Sequence, residues 1–515
     1  MGIAKDVFLA KKKEGWRMVL FYLAPVLFIL FTFFINLDSN QPSVSRAMAV
    51  ALWMALWWVA EIVPLALTSL LPVVLFPLLG VMDGKDVSTA YFNHVIFLFI
   101  GGFIIALAIE RWNLHKRIAT NILLKVGVSP AKILFGFMFA TAFLSMWISN
   151  TATTMMMIPI LVSIILKLEA INGRKKVYLF STGLLLATAY SASIGGIATL
   201  VGTPPNLSFA RIFHIYFPEA PEITFSSWFL FALPLSMFMF GLLFVYIYFI
   251  FIRRKKDWKF INKDSLKEDL SQMGPMSFEE KVISILFVLL AVLWLTRSDI
   301  TIGNFTFYGW SNLFKNPKFI NDGTVAIMVA LILFVIPSKA DKNIYLMGRQ
   351  AIEDIPWEIV LLFGGGFALA NGFKESGLST WIGEQLIWLK DVHPMLIIFC
   401  IALIVTFLTE LTSNTATVET FLPILAGLSI SIEVNPLLFM IPATLAGSMA
   451  FMLPVATPPN AIVFGTRRLR VSQMIKTGLF LNIAGSILLT IFVYYLSKYF
   501  FHIDLGNFPE WALGH

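Results

Sequence analysis

Long apolar blocks alternate with short polar or basic stretches along the 515 residues. A helix that crosses the ~30 Å hydrocarbon layer needs about 20 mainly apolar residues. Blocks at 18–37, 46–66, 67–82, 94–110, 226–252, 281–297, 322–337, 357–373 and 474–497 read as such helices. Four further blocks do not fit one simple span. Residues 133–166 hold no Asp, Glu, Lys or Arg, yet their centre reads WISNTATT, which suits two helices joined at a polar tip. Residues 177–210 are equally uncharged and are broken by GTPPN at 202–206, where two prolines remove backbone donors and disfavour helix upstream. Blocks 394–430 and 434–466 carry the same two kinds of interruption.

Composition agrees with this pattern. The apolar set makes up 58% of the chain and charged residues 13%, against about 25% charged in soluble domains. Mean hydropathy is +0.82. These values exclude a soluble enzyme, a disordered chain and a disulfide framework, and the single Cys400 leaves no internal disulfide. The net charge of +8 is largely juxtamembrane, a topology signal rather than a nucleic-acid surface. Lys5, Lys11, Lys12, Lys13 and Arg17 precede the first block, and Arg253, Arg254, Lys255, Lys256, Lys259, Lys263 and Lys267 follow the sixth span. The positive-inside rule puts both on the cytoplasmic side. Eleven spans with two re-entrant hairpins then leave an external C-terminus. His94, His115 and His393 lie near span ends without metal-ligand spacing and read as interfacial.

The chain also repeats itself. FLFIGGFIIALA at 97–108 lies over LLFGGGFALANG at 361–372, and FLSMWISNTATT at 143–154 over FLTELTSNTATV at 407–418, both at an offset of 264. LVGTPPN at 200–206 and PVATPPN at 454–460 stand 254 apart. Three motifs in one order mark two homologous halves, and interrupted helices at matching places point to a secondary transporter and its site. An odd number of crossings between corresponding elements makes the repeats inverted. The expected organisation is an N-terminus with the first helix at 1–45 and a first repeat at 46–252 (hairpin 128–167, broken helix 178–213). A basic linker at 253–280 leads to a second repeat at 281–500 (hairpin 393–430, broken helix 437–466), with a tail at 501–515.

Non-helical backbone within a membrane is tolerated only where protein or water satisfies it. Second half-helices expected to start after Asn150 and Asn414 present free amides suited to an anion. Freed carbonyls with Ser and Asn oxygens suit a hard cation such as Na+. No Lys or Arg stands beside either Ser-Asn-Thr motif, so co-bound cations would offset the cost of a buried dianion. The glycine runs at 101–102 and 364–366 favour close helix packing; no GK[ST] follows them, which excludes a phosphate loop. Glu410 and Glu419 are intramembrane acids with uncharged counterparts Met146 and Met155. Glu419 is a candidate for the cavity, for carrying a proton, or for pairing with a distant base. Glu61, near Pro64 at a span boundary, reads as interfacial.

SNTATTMMMIP at 149–159, SNTATVETFLP at 413–423, SIGGIATLVGTPPN at 193–206, LPVATPPNAIVFG at 453–465 and the stretch at 61–81 resemble the divalent anion:sodium symporter family, over about 46–497. The resemblance implies an all-α polytopic membrane fold and a homodimer working by an elevator motion. It implies one sodium site at Ser145, Ser149, Asn150 and the Gly202 backbone, and a second at Thr409, Ser413, Asn414 and the Ala456 backbone. Substrate carboxylates would meet Ser149-Asn150-Thr151, Ser413-Asn414-Thr415, and the Thr203-Pro204 and Thr457-Pro458 turns. Two full Ser-Asn-Thr motifs resemble carboxylate rather than sulfate carriers. The expected activity is Na+-coupled uptake of C4-dicarboxylates across the inner membrane of a bacterial cell. The alternatives are a sodium-independent dicarboxylate or citrate exchanger and a sodium-coupled citrate or sulfate carrier. An intramembrane protease lacks GxSxG and a His near Ser149 or Ser413, and matched broken helices are poorly suited to a continuous pore.

Overall fold

The computed structural model describes residues 15–127, 129–253, 271, 273–302, 305–341, 344–501, 503 and 507–513. Lys5, Lys11, Lys12 and Lys13, residues 254–267 of the basic linker, and Val128 lie outside them.

The first half runs α1 (Gly15–Phe33), α2 (Ser43–Ala60), α3 (Leu65–Thr68), α4 (Leu71–Leu78), α5 (Gly84–Thr89), α6 (His94–Arg111) and α7 (Leu114–Val126). It continues with α8 (Pro130–Ser145), α9 (Asn150–Asn172), α10 (Arg174–Ile197), α11 (Pro204–Tyr216) and α12 (Phe225–Ile247), which ends in a π-helical turn at Tyr248–Ile252. The second half runs α13 (Phe278–Leu295), strands β1 (Ile300–Ile302) and β2 (Phe305–Phe307), α14 (Asp322–Ile332), α15 (Gln350–Glu353), α16 (Trp357–Glu375) and α17 (Leu378–Gln385). It closes with α18 (Pro394–Leu408), α19 (Asn414–Ser431), α20 (Leu437–Ala446), α21 (Pro458–Gly465) and α22 (Val471–Phe500). Among the described residues seven helical stretches are long and apolar enough to cross a membrane, with shorter apolar helices between them. The molecule is an all-α polytopic membrane protein apart from the small antiparallel ribbon β1–β2, which the apolar pattern did not foretell.

The stretch expected as one helix at 67–82 is built as two short helices in succession, α3 and α4. Pro64 precedes α3, Pro72 takes an early position in α4 and Pro77 lies near its end, so no continuous ladder of amide donors exists there. The hairpin's second arm outruns its expected end at 167 and reaches Asn172. Gly173 (φ +82°) then turns directly into α10, a backbone region that favours glycine. Both broken helices break earlier than the Pro-Pro step: α10 ends at Ile197 and α20 at Ala446.

Apolar burial gives helices little reason to associate in lipid, so close backbone approach matters. A β-carbon on Gly101 would sit 2.6 Å from Ala326 of α14, which assigns that glycine to packing. Gly365 faces Ser69 just past α3, and Gly364 faces the Tyr91 ring.

The two halves pack in corresponding ways. α8 lies on α10 as α18 lies on α20, and α9 on α10 as α19 on α20. Each second hairpin arm also crosses to the other half: α9 packs on α21, and α19 on α11. The flanks differ. α7 packs on the first arm α8, whereas α17 packs on the second arm α19, and α16 reaches both α19 and α11.

Arg297 ties the loops at one end of the molecule. It donates to Asp322 (2.5 Å), to Glu222 (3.0 Å) and to the Ile320 carbonyl (2.7 Å), while Asp322 accepts the Phe225 amide (2.7 Å). Elsewhere Arg468, just past α21, forks onto Glu169 of α9.

Candidate functional site

The first hairpin turns over Met146–Ser149, between α8 and α9. Ser149 caps α9, its hydroxyl accepting from the Ala152 amide at 3.2 Å. Asn150 opens the helix, and its Oδ1 accepts from the buried Ser145 hydroxyl at 2.5 Å. The second hairpin repeats this pairing: Thr409 donates to Asn414 Oδ1 at 2.6 Å and to the Gly447 carbonyl at 3.0 Å. Ser413 precedes α19 without capping it. The first amides of any helix lack an intrahelical acceptor, so this helix start is the barer of the two. Among the described residues the hydroxyls of Thr151, Ser413 and Thr415 make no hydrogen bond within the protein. No Lys or Arg hydrogen-bonds to either tip among those residues.

The broken helices are held open by one device used twice. Asn206 Nδ2 donates to the carbonyls of Gly196 (3.4 Å), Ile197 (3.2 Å) and Thr199 (2.7 Å). Asn460 Nδ2 donates to those of Ala450 (3.1 Å) and Leu453 (3.0 Å), which correspond to Gly196 and Thr199 at the 254-residue offset. Thr203 and Thr457 sit at the N-caps of α11 and α21, with Pro204 and Pro458 at the first helical positions, where a missing amide hydrogen costs nothing. Only Thr457 uses its hydroxyl as a cap, accepting from Asn460 at 3.4 Å.

The first break meets its own hairpin tip. Thr199 donates to the Met146 carbonyl (2.5 Å) and accepts the Gly202 amide (3.0 Å). A β-carbon on Gly196 would stand 2.5 Å from Asn150 Oδ1 and 3.0 Å from the Gly202 carbonyl oxygen. Ser145, Asn150 and Gly202 are therefore brought together as an oxygen cluster that a hard cation could use. In the second half Thr409 and Asn414 are together with the Gly447 carbonyl. No hydrogen bond joins Ala456 to them, and its amide binds the Leu453 carbonyl at 3.2 Å. No hydrogen bond joins Ser149–Thr151 to Ser413–Thr415 either. A cavity of about 580 Å³ lined by His94, Leu200, Leu207, His214 and Asp322 takes in neither tip.

The second break carries a charge that the first lacks. Glu410 accepts the amides of Phe451 (2.7 Å), Met452 (2.7 Å) and Leu453 (3.0 Å) and the Asn482 side chain (2.8 Å). It is a clamp on freed backbone donors. In the first half its counterpart Met146 supplies a carbonyl instead. Glu419 is wholly buried on α19 and takes one donor, Ser208 at 2.7 Å. The distant base considered for it is not within ion-pair reach among the described residues.

Sequence reasoning missed Gly196, Gly447, Thr199 and the two TPPN asparagines. The signal for the asparagines was their place in a duplicated motif; the glycines were visible only as small residues. Each of the three histidines makes a structural contact. His115 is buried against the Ile109 carbonyl (3.1 Å), His94 packs on His214, and His393 caps α18 by accepting from Met395 (3.2 Å). Exposed Glu61 caps α2 in a left-handed conformation, and Cys400 is exposed.

The family description "Sodium:sulfate symporter transmembrane region" matches residues 16–502. The sodium-dependent dicarboxylate transporter SdcS of Staphylococcus saprophyticus is 41% identical over 511 residues, covering 97% of this chain and 96% of the relative. The protein of the same name from Staphylococcus aureus is 41% identical over 508 residues, covering 97% and 95%. Two solved structures share the fold at low identity. The Alcanivorax borkumensis YdaH transporter has a TM-score of 0.53 at 12% identity, covering 80% of this chain and 87% of that one. Neisseria gonorrhoeae MtrF, described with a class of antimetabolite efflux pumps, scores 0.54 at 13%, covering 80% and 83%.

Proposed function

The chain belongs to the sodium:sulfate symporter family, and from that premise we propose that it couples sodium entry to uptake of C4-dicarboxylates such as succinate, fumarate and malate. The observation that carries this reading is the doubled tip. A hydroxyl–asparagine pair stands beside freed carbonyls, next to a helix start with unpaired amides and no Lys or Arg. Burying a dianion there without positive charge is costly. Two sodium ions would supply that charge, one at Ser145, Ser149, Asn150 and Gly202, the other at Thr409, Ser413, Asn414 and Ala456. Gly447 is added to the second set because Thr409 already donates to its carbonyl. The substrate's carboxylates then meet Ser149-Asn150-Thr151, Ser413-Asn414-Thr415 and the two Thr-Pro turns. No covalent chemistry is involved.

The rest of the reading is organisational. Two inverted halves and eleven spans form the carrier, with the N-terminus cytoplasmic and the C-terminus external in an inner membrane. The hairpins and broken helices move together as an elevator against a scaffold that forms a homodimer. The cross-packing of α9 on α21 and α19 on α11 supports a single moving body.

Uptake of labelled succinate into substrate-free proteoliposomes tests the reading. An inward sodium gradient should drive accumulation and choline should not, and Asn150→Ala or Asn414→Ala should abolish it with insertion intact. Accumulation without sodium, uptake only into preloaded vesicles, or normal uptake in either variant would refute it.

A further inference from the structure

Glu419 lies on α19, outside the proposed binding set, and its environment differs sharply from that of Glu410. Oε1 accepts from Ser208 of α11, and Oε2 has no hydrogen-bond partner. The carboxyl lies against α16 so closely that a β-carbon on Gly366 would collide with it. That helix also bears on Ser69 through Gly365 and on Tyr91 through Gly364. Glu419 therefore sits on the seam where the hairpin and broken helix meet the helices proposed as scaffold.

Among the described residues no charged group of the packed elements makes an ion pair or hydrogen bond with it. α11 carries Arg211 and His214, α16 Glu358, Lys374 and Glu375, α17 Glu384 and α2 Arg46; α18 and α20 carry none. Lys374 donates to the Ile215 carbonyl (2.6 Å) and Arg46 to the Leu79 carbonyl (2.9 Å). Tyr91 packs on Gly364 of α16, but its hydroxyl donates to the Ser69 carbonyl at 2.5 Å. Tyr216 of α11 bonds the Ala370 carbonyl at 3.1 Å. An ionised carboxylate with one donor and no cation is costly in such a place, whereas the neutral acid is tolerated.

We propose that Glu419 must be protonated for the moving body to seat against α16, so that crossing is gated by a proton as well as driven by sodium. This rests on the elevator reading above. The proton comes from water on whichever side exposes the seam and returns to water when the seam reopens. Uptake then rises as pH falls and declines on the alkaline side. Glu419 is a positioning residue: it touches neither substrate nor sodium.

The test is the pH profile of sodium-driven succinate uptake at saturating sodium, between about pH 7 and 9, where simple carboxylic acids are fully ionised. Wild type should decline toward alkaline pH, up to about tenfold per unit where crossing limits the rate, one proton per event. Glu419→Gln should flatten the profile and keep sodium dependence. Ser208→Ala removes the donor that favours the ionised form, so it should move the decline to higher pH. A flat wild-type profile, a Glu419→Gln decline parallel to wild type, or an unmoved limb in Ser208→Ala each overturns the proposal. If Glu419→Gln does not fold, the other two profiles still decide. Loss of sodium dependence in wild type would refute the transport reading instead, whatever the pH profile.

Discussion

At the residue scale the candidate site depends on where a side chain is missing. Gly196 lets the first break come up to Asn150, and its methyl counterpart would stand 2.5 Å from Oδ1, closer than packed atoms tolerate. Gly196→Ala should raise the sodium concentration for half-maximal uptake about tenfold, equivalent to ~1.4 kcal/mol. Gly241→Ala, with open space around it, should leave sodium dependence unchanged. Equal sodium curves for wild type and Gly196→Ala would remove the glycine from the cluster. The tip residues Ser149, Asn150, Ser413 and Asn414 were legible because the same letters occur twice at one offset in apolar surroundings. Gly196 and Gly447 were not, because a bare carbonyl has no sequence signature and its value depends on which hydroxyl the fold turns toward it. Ala456 matches Gly202 in position, and both amides are engaged within their own breaks, by the Leu453 carbonyl and the Thr199 hydroxyl, which leaves the carbonyls as the groups a cation would use.

At the element scale each interrupted helix needs partners for the groups that the interruption frees. The carbonyls are served alike in both halves, by Asn206 and Asn460. The amides are not: in the second half the longer break, between Ala446 and Pro458, turns three of them onto Glu410. Glu410→Gln keeps one oxygen but sets an amide NH2 donor opposite the Leu453 amide, and should lower stability by about 2 kcal/mol, the scale of one hydrogen bond to a charged group. Glu410→Met, the first half's residue, leaves four donors without an acceptor and should cost more. Thermal unfolding of the purified protein reads both, and an unchanged Tm in Glu410→Met would refute the clamp. The hairpins and breaks could be read from polar letters inside apolar blocks. The short α3–α4 pair could have been read from Pro64, Pro72 and Pro77, but the apolar length of 67–82 outweighed them. The early ends at Ile197 and Ala446 were not legible, because they reflect tertiary partners such as Trp228, which donates to the Ile197 carbonyl at 3.1 Å.

At the scale of the whole molecule the two halves interlock, since neither second hairpin arm finishes its packing within its own half. The fork of Arg468 onto Glu169 fastens α9 to the end of α21, so the hairpins and breaks share a frame even though no hydrogen bond joins the tips. Duplication made that frame readable as two matching units. It did not reveal the unequal flanks, where α7 packs on the first arm α8, α17 on the second arm α19, and α16 on both α19 and α11. The most direct test of a dicarboxylate held between two sodium-bearing tips is calorimetry on the purified full chain. Succinate titrated in sodium should give a binding heat that is absent in choline and lost in both Asn150→Ala and Asn414→Ala. Equal affinity in choline, or retained sodium-dependent binding in either variant, would contradict it.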